Sequence, residues 1–149
     1  MSGKWALHGR SSHLIENSKK TVQVIVDEEG FDWQVGTELP NLVKMGIRKF
    51  VDDLLVQQNI DQQNEIQLWG VHPGGPAILT AVQSELGLEY ENLKESWEVL
   101  KNYGNMASVT IWFVLQELMK NENKEKQNLL AIAFGPGVTI EGALLKKCI

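Results

Sequence analysis

The feature that most constrains the fold is a change of period within residues 66–87. Residues 66–71 (IQLWGV) form an apolar run of the length of a buried strand. His72-Pro73-Gly74-Gly75 ends that run, and Pro76 follows at a position suited to the first turn of a helix, where a missing N–H costs nothing. From there Ile78, Leu79, Val82 and Leu86 recur at helical spacing, and Gly87 supplies a left-handed stop. The segment is a strand–turn–helix unit. A chain in which strands and helices alternate in this way folds as an α/β sandwich.

The remaining pattern continues the alternation. Residues 5–15 and 21–26 are rich in β-branched and aromatic side chains and flank the polar turn Glu16-Asn17-Ser18-Lys19-Lys20, so they are expected to pair as a hairpin. After Pro40, with Asn41 as its cap, Val43, Ile47, Phe50, Val51, Leu54 and Leu55 mark a helix to about residue 57 that covers one face of a sheet. Tyr90, Leu93, Trp97 and Leu100 mark another, ending near Tyr103-Gly104. Asn105 is placed to cap a further helix over 106–120, and its 109–115 stretch, apolar nearly all round, is expected to be buried on several sides. Residues 121–128 (NENKEKQN) read as one exposed connection, 129–134 as a buried strand, Gly135-Pro136-Gly137 as a tight loop and 138–145 as a final strand. No repeat or linker divides the chain, so residues 1–149 are read as one domain.

Composition narrows the function classes. At 149 residues, with 43% hydrophobic and 22% charged, the chain has enough apolar material for a real core. Its longest apolar runs, 111–115 and 129–134, fall far short of the ~20 residues that cross a membrane as a helix. The first residues lack an apolar signal core and Cys148 is the single cysteine, so a cytoplasmic, reducing location without an intrachain disulfide is expected. A net charge of −5 argues against broad nucleic-acid or anionic-membrane binding. Lys44, Arg48 and Lys49 read as a solvated helix face. His8, His13, His72 and Cys148 are far apart and lack paired spacing, so no zinc site is expected.

Three features remain: His72 in WGVHPGGPA, Asn105 in YGNMAS, and the loop in AFGPG. Each alone has a structural meaning: a histidine ending a strand, a helix cap, a turn. Together they suggest more. His72 lies at the carboxyl end of a strand, where open α/β sheets hold ligands, and the glycines behind it admit a bulky group. An imidazole N–H and a carboxamide N–H aimed at one oxygen would stabilise an enolate or other oxyanion, which points to carbonyl chemistry on a thioester or ester.

The segments WGVHPGGPAIL, SWEVLKNYGNMAS and AFGPGVTIEG resemble the C-terminal domain of type III polyketide synthases, relatives of chalcone and stilbene synthase. The stretch from SSHLIENS through FDWQV likewise resembles that family's strand pair ahead of its first helix, so the likeness covers nearly the whole chain. It implies an α/β fold, the C-terminal half of a thiolase-like αβαβα layered architecture. It implies acyl-CoA and malonyl-CoA as substrates, no cofactor and no metal. His72 and Asn105 would form the hole that supports malonyl-CoA decarboxylation, and a cysteine in the N-terminal half would carry the acyl chain. Val22, Val24, Trp33, Ala107, Phe134 and Pro136 match residues lining the growing-chain cavity, and Gly74, Gly75 and Ala77 match a stretch near the pantetheine arm.

Some positions depart from that pattern. Val24 falls where glycine is frequent, Trp33 where phenylalanine is usual and Ala107 where a small hydroxyl residue is common, which together suggest a shorter or thinner product. Cys148, next to the last residue, is not expected to be the nucleophile. A lone half would leave an apolar face uncovered, so association is expected, with itself or with a cysteine-bearing chain. Two other readings are an initiating β-ketoacyl-carrier-protein synthase, against which the HPGGP turn and AFGPG loop argue, and a non-catalytic or truncated interaction protein of the thiolase superfamily in which His72 and Asn105 are relics.

Overall fold

Strand β1 (Trp5–Leu14) runs antiparallel to the last strand of the chain, and this pairing closes the main sheet. The computed structural model describes residues 5–120 and 127–148. The other elements in order are β2 (Val22–Asp27), β3 (Gly30–Val35), α1 (Leu39–Gln57), β4 (Leu68–Val71), α2 (Pro76–Leu86), α3 (Lys94–Tyr103), α4 (Thr110–Met119), β5 (Asn128–Gly135) and β6 (Thr139–Lys147). The main sheet has the order β1-β6-β5-β4, with β4 and β5 parallel and the other neighbours antiparallel, while β2 and β3 form a separate two-stranded ribbon. The sheet is therefore mixed and the fold is α/β, as the alternation of strands and helices implied.

The two-residue period of β5 divides the core. Leu130 and Ile132 join the cluster beneath α1 and α2, whereas Leu129 and Ala131 join the smaller one with Val99 of α3 and Val114, Leu115 and Leu118 of α4. Helices thus cover both faces. Helix α1 buries the six apolar residues expected of it. It lies close to β6 because two glycines permit it: a Cβ on Gly142 would stand 2.8 Å from Phe50 and Leu54, and one on Gly46 would stand 2.9 Å from Ile15. Each fully buried aliphatic side chain in this layer contributes about 1.5–3 kcal/mol.

Several expectations are corrected. The first two strands do not form a hairpin. β1 pairs with β6, and β2 pairs with β3 across a turn in which the Asp27 carboxylate accepts the Glu29 and Gly30 N–H groups at 2.8 and 3.1 Å. That side-chain clamp makes the tighter reversal. Helix α1 begins before Pro40, with Glu38 rather than Asn41 at its cap position, because a first-turn proline needs no N–H partner. Residues 90–103 are a 3-10 turn, Tyr90–Leu93, followed by α3.

Helix α4 is not enclosed. It buries Thr110, Val114, Leu115 and Leu118, but Trp112 is 68% exposed. Arg48 is not a solvated charge: its guanidinium donates to the Gln63 side chain at 2.9 Å and to the Glu85 carbonyl, tying α1 to the end of α2. Of the expected exposed connection, residues 121–126 lie outside the described residues, Gln127 is buried, and Asn128 opens β5 with its side chain donating to the Glu65 carbonyl at 2.9 Å.

Candidate active site

His72 follows the last residue of β4 and continues its ladder, its backbone N–H donating to the Ile132 carbonyl at 2.8 Å. The strand run of residues 68–71 thereby fixes where the imidazole emerges. The residue is 8% exposed, and burial lowers the imidazole pKa below its ordinary value. The ring makes no hydrogen bond to any described residue. A neutral imidazole keeps one N–H donor and one acceptor nitrogen.

The chain then turns sharply. Gly74 N–H donates back to the His72 carbonyl at 3.0 Å, and α2 starts at Pro76 with Gly87 in the left-handed conformation at its end, φ 66°. A Cβ on Gly74 would lie 3.9 Å from His72 Nε2, so this backbone runs alongside the ring.

Asn105 reaches the same place from the other side. Its Nδ2 donates to the Gly74 carbonyl at 3.1 Å, and its Oδ1 accepts the Ala107 N–H at 2.9 Å. It does not open a helix directly, since a 3-10 turn, Ala107–Val109, intervenes before α4. A carboxamide has two N–H donors, and one here remains for another acceptor.

His72 and Asn105 share a cavity of about 610 Å³ with Val22, Trp33, Gly74, Ala107, Phe134 and Pro136. Val24, Gly75 and Ala77 are not among its lining residues. Val24 pairs directly with Trp33, so the two share a face of the ribbon, and Gly75 and Ala77 flank the first residue of α2. Further lining residues were not anticipated: Val35, Leu39, Ile78, Met106, Ser108, Ile111, Ala133, Gly135 and Glu141. Val35 was open to detection, because it alternates with Trp33. Glu141 was not, since only the register Ala133↔Glu141 brings it to the site.

The ribbon is held against this cavity by the glycine–proline loop. Gly137 N–H donates to the Val22 carbonyl at 2.9 Å, Ile15 N–H to the Val138 carbonyl at 3.0 Å, and the buried Ser18 hydroxyl to the Ile15 carbonyl at 2.5 Å. Positive φ at Gly137, 69°, lets the loop make that approach. The result is an apolar chamber with its imidazole and carboxamide close to one glycine.

Comparison with known proteins decides the family. Residues 6–149 match the model of the chalcone and stilbene synthases, C-terminal domain. The chain belongs to the chalcone and stilbene synthase family. It is 34% identical over 144 residues to the alpha-pyrone synthesis polyketide synthase-like Pks18 of Mycobacterium tuberculosis, a match spanning 95% of this chain and 36% of that protein. It is 34% identical over 150 residues to type III polyketide synthase B of Arabidopsis thaliana, spanning 95% of this chain and 38% of that protein. Among solved structures, PKS-I from the brown alga Ectocarpus siliculosus superposes with a TM-score of 0.91 at 29% identity, covering 99% of this chain and 41% of that one.

This type III polyketide synthase C-terminal domain thus spans well under half the length of the relatives it matches. Its architecture is the C-terminal part of their thiolase-like fold. Among the described residues no helix is long and apolar enough to cross a membrane, and no three His, Cys, Asp or Glu side chains group as metal ligands.

Proposed function

We propose that this domain supplies the oxyanion-stabilising half of a type III polyketide synthase active site. The observation that carries the reading is that His72 and Asn105 flank Gly74 in one cavity that is otherwise mostly apolar. Breaking the C–C bond of a malonyl thioester releases carbon dioxide and leaves the electron pair as an enolate. Its oxygen carries the developing charge. Two preset donors, one from a neutral imidazole and one from a carboxamide, stabilise that charge more in the transition state than in the ground state. The carbanion then attacks an acyl thioester, forming a C–C bond and expelling a thiolate.

That thiolate belongs to a cysteine outside these residues, in another segment of the same polypeptide or in a partner chain. Cys148 is exposed and lies two residues beyond Lys146, whose carbonyl its thiol approaches at 3.9 Å, and it is not among the cavity-lining residues. The face awaiting a partner is the apolar side of the β2–β3 ribbon. Register puts Val22, Val24 and Val26 opposite Val35, Trp33 and Phe31, and Phe31 is 74% exposed. This strip runs outward from the cavity wall, so one covering segment would close the chamber and exclude water. A reducing, cytoplasmic setting would keep its cysteine as a thiol. The substrates are acyl-CoA and malonyl-CoA, the CoA arm passing along Gly74, Gly75 and Ala77. Cavity-wall positions Val22, Trp33, Ala107, Phe134 and Pro136, with Val24 beside Trp33 on the same ribbon face, limit the length or width of the product.

The test is reconstitution with the cysteine-bearing N-terminal portion of a relative, following malonyl-CoA consumption and product formation. Activity is expected only in the mixture. His72→Ala and Asn105→Ala should each lower turnover by about a hundredfold or more. Full activity in either variant would overturn the assignment.

A further inference from the structure

The loop carrying Asn105 is tied to the start of α4 by the Thr110 hydroxyl. After α3 ends at Tyr103, Gly104 adopts φ 71° and Ala107 adopts φ 55°, a left-handed conformation uncommon for a residue with a side chain. Between them lie Asn105 and Met106, and the whole loop must hold this shape for the carboxamide to reach Gly74. The Thr110 hydroxyl, on a fully buried residue, accepts the Met106 N–H at 2.7 Å and donates to the Ala107 carbonyl at 3.0 Å. Donation to a carbonyl three residues back is common for threonine at a helix start. Acceptance from Met106, the cap position of the 3-10 turn, is a capping-box-like reach back to the cap N–H, made here by the first residue of α4.

These two bonds fix the Asn105–Met106 and Ala107–Ser108 peptide units, which bracket Met106 and the left-handed Ala107. With them in place the Ala107 N–H points at Asn105 Oδ1, 2.9 Å away. A planar carboxamide whose oxygen is taken on one side presents its nitrogen on the other. One Nδ2 proton meets the Gly74 carbonyl and the second is left for the cavity beside His72. The orientation of the donor is therefore relayed from Thr110 through the backbone of Met106 and Ala107.

We propose that Thr110 is a positioning residue for Asn105: its hydroxyl locks the left-handed turn at Ala107 and so presets the carboxamide toward the thioester oxygen. The proposal rests on the reading of Asn105 as an oxyanion donor, but it predicts a physical effect that is measured without catalysis. Among the described residues, the hydrogen bonds of the Asn105 amide are made to backbone groups, at Gly74 and Ala107.

The experiment uses the 149-residue chain labelled with 15N, comparing wild type with Thr110→Val, which keeps the shape and removes the hydroxyl, and Thr110→Ser, which keeps the hydroxyl. In Thr110→Val the Asn105 side-chain amide signals should shift and exchange with water roughly threefold to tenfold faster, the range set by one hydrogen bond. The Ala107 backbone signals should move with them, while signals from α1 and β6 stay in place. Thr110→Ser should retain the wild-type Asn105 pattern. A folded Thr110→Val protein with unchanged Asn105 and Ala107 signals would overturn the proposal. So would a Thr110→Ser protein with the amide released, which keeps the test decisive even if the valine variant does not fold. In the reconstituted enzyme Thr110→Val should lower kcat with little change in KM for malonyl-CoA. If Asn105→Ala kept full turnover, the oxyanion reading would fall while the amide measurements stood separately.

Discussion

Asn105 donates its side-chain N–H to the carbonyl oxygen of Gly74 at 3.1 Å, and through that bond two loops distant in sequence meet beside His72. The bond consumes one amide proton and leaves one. A Cβ at residue 74 would sit 3.8 Å from His72 Cδ2 and 3.6 Å from Ile78, ordinary contact distances, so this backbone borders the imidazole directly. The geometry is present in this domain by itself.

His72 should make the stability of the domain depend on pH in a definite direction. Burial lowers its pKa in the folded state, whereas the unfolded chain returns to about 6.5. Below about pH 6.5 the unfolded chain therefore holds more protons, so stability falls as pH falls through that window and is level above it. Thermal unfolding between pH 5 and 8 should show that decline, and His72→Gln should flatten it. An NMR titration placing the His72 midpoint at or above the ordinary value would contradict this.

Ala107 carries backbone strain that its neighbours hold in place. At φ 55° a left-handed alanine costs roughly 1–2 kcal/mol relative to a right-handed one, and a β-branched residue costs more. Ala107→Gly should be neutral or stabilising by up to about 1 kcal/mol, since relief of strain outweighs or matches the added freedom of the unfolded chain. Ala107→Val should destabilise by about 2 kcal/mol. Denaturant unfolding at neutral pH measures both, and a valine variant more stable than the glycine variant would be inconsistent with the turn described.

The strand–turn–helix unit at residues 66–87 was legible in the sequence because every signal in it is local: an apolar run, a proline at the helix start, a glycine at its end. The β1–β6 pairing was not, since Trp5 meets Lys147 and no short-range pattern records that register. The β2–β3 ribbon was legible in principle. Phe31, Trp33 and Val35 alternate with polar Asp32 and Gln34, while in β2 Ile25 interrupts the alternation, and the stronger-looking turn at residues 16–20 drew the hairpin to the wrong place. His72 and Asn105 were singled out by residue type and motif, and the fold brings both to one cavity. The Asn105–Gly74 bond spans 31 residues and no linear pattern encodes it, whereas Thr110 reaches Met106 and Ala107 within four residues, a local contact that depends on the left-handed turn at Ala107.

Arg48 and Lys49 are adjacent cations with different expected costs of removal. Arg48 donates to Gln63 and to the Glu85 carbonyl, so Arg48→Met strands partners at the end of α2 and should destabilise by about 1.5–3 kcal/mol. Among the described residues Lys49 pairs with exposed Asp53 at 2.6 Å, one helical turn away, and its side chain is 75% exposed. Lys49→Met should change stability by less than about 0.5 kcal/mol. Equal effects in urea titrations would show that Arg48 is solvated after all.

The apolar ribbon face gives the last prediction. Val26, Phe31, Trp33 and Val35 all lie on one side of β2–β3 by register, each at least half exposed, with Val26 at 67% and Phe31 at 74%. Trp112 and Val109 of the neighbouring turn and α4 add to the uncovered apolar surface. Contiguous apolar surface of this kind marks an interaction face in a water-exposed domain. At micromolar concentration the domain should therefore sediment as species larger than its 16.8 kDa monomer. Replacing Phe31 and Trp112 together by serine should shift the distribution to monomer without lowering thermal stability, because neither side chain belongs to the buried core. Adding a covering cysteine-bearing segment should compete with the self-association for the same strip. A sharply monodisperse 16.8 kDa species from the wild-type chain would mean that the strip is not sticky enough to hold a partner, and the chamber would have to be closed from another side.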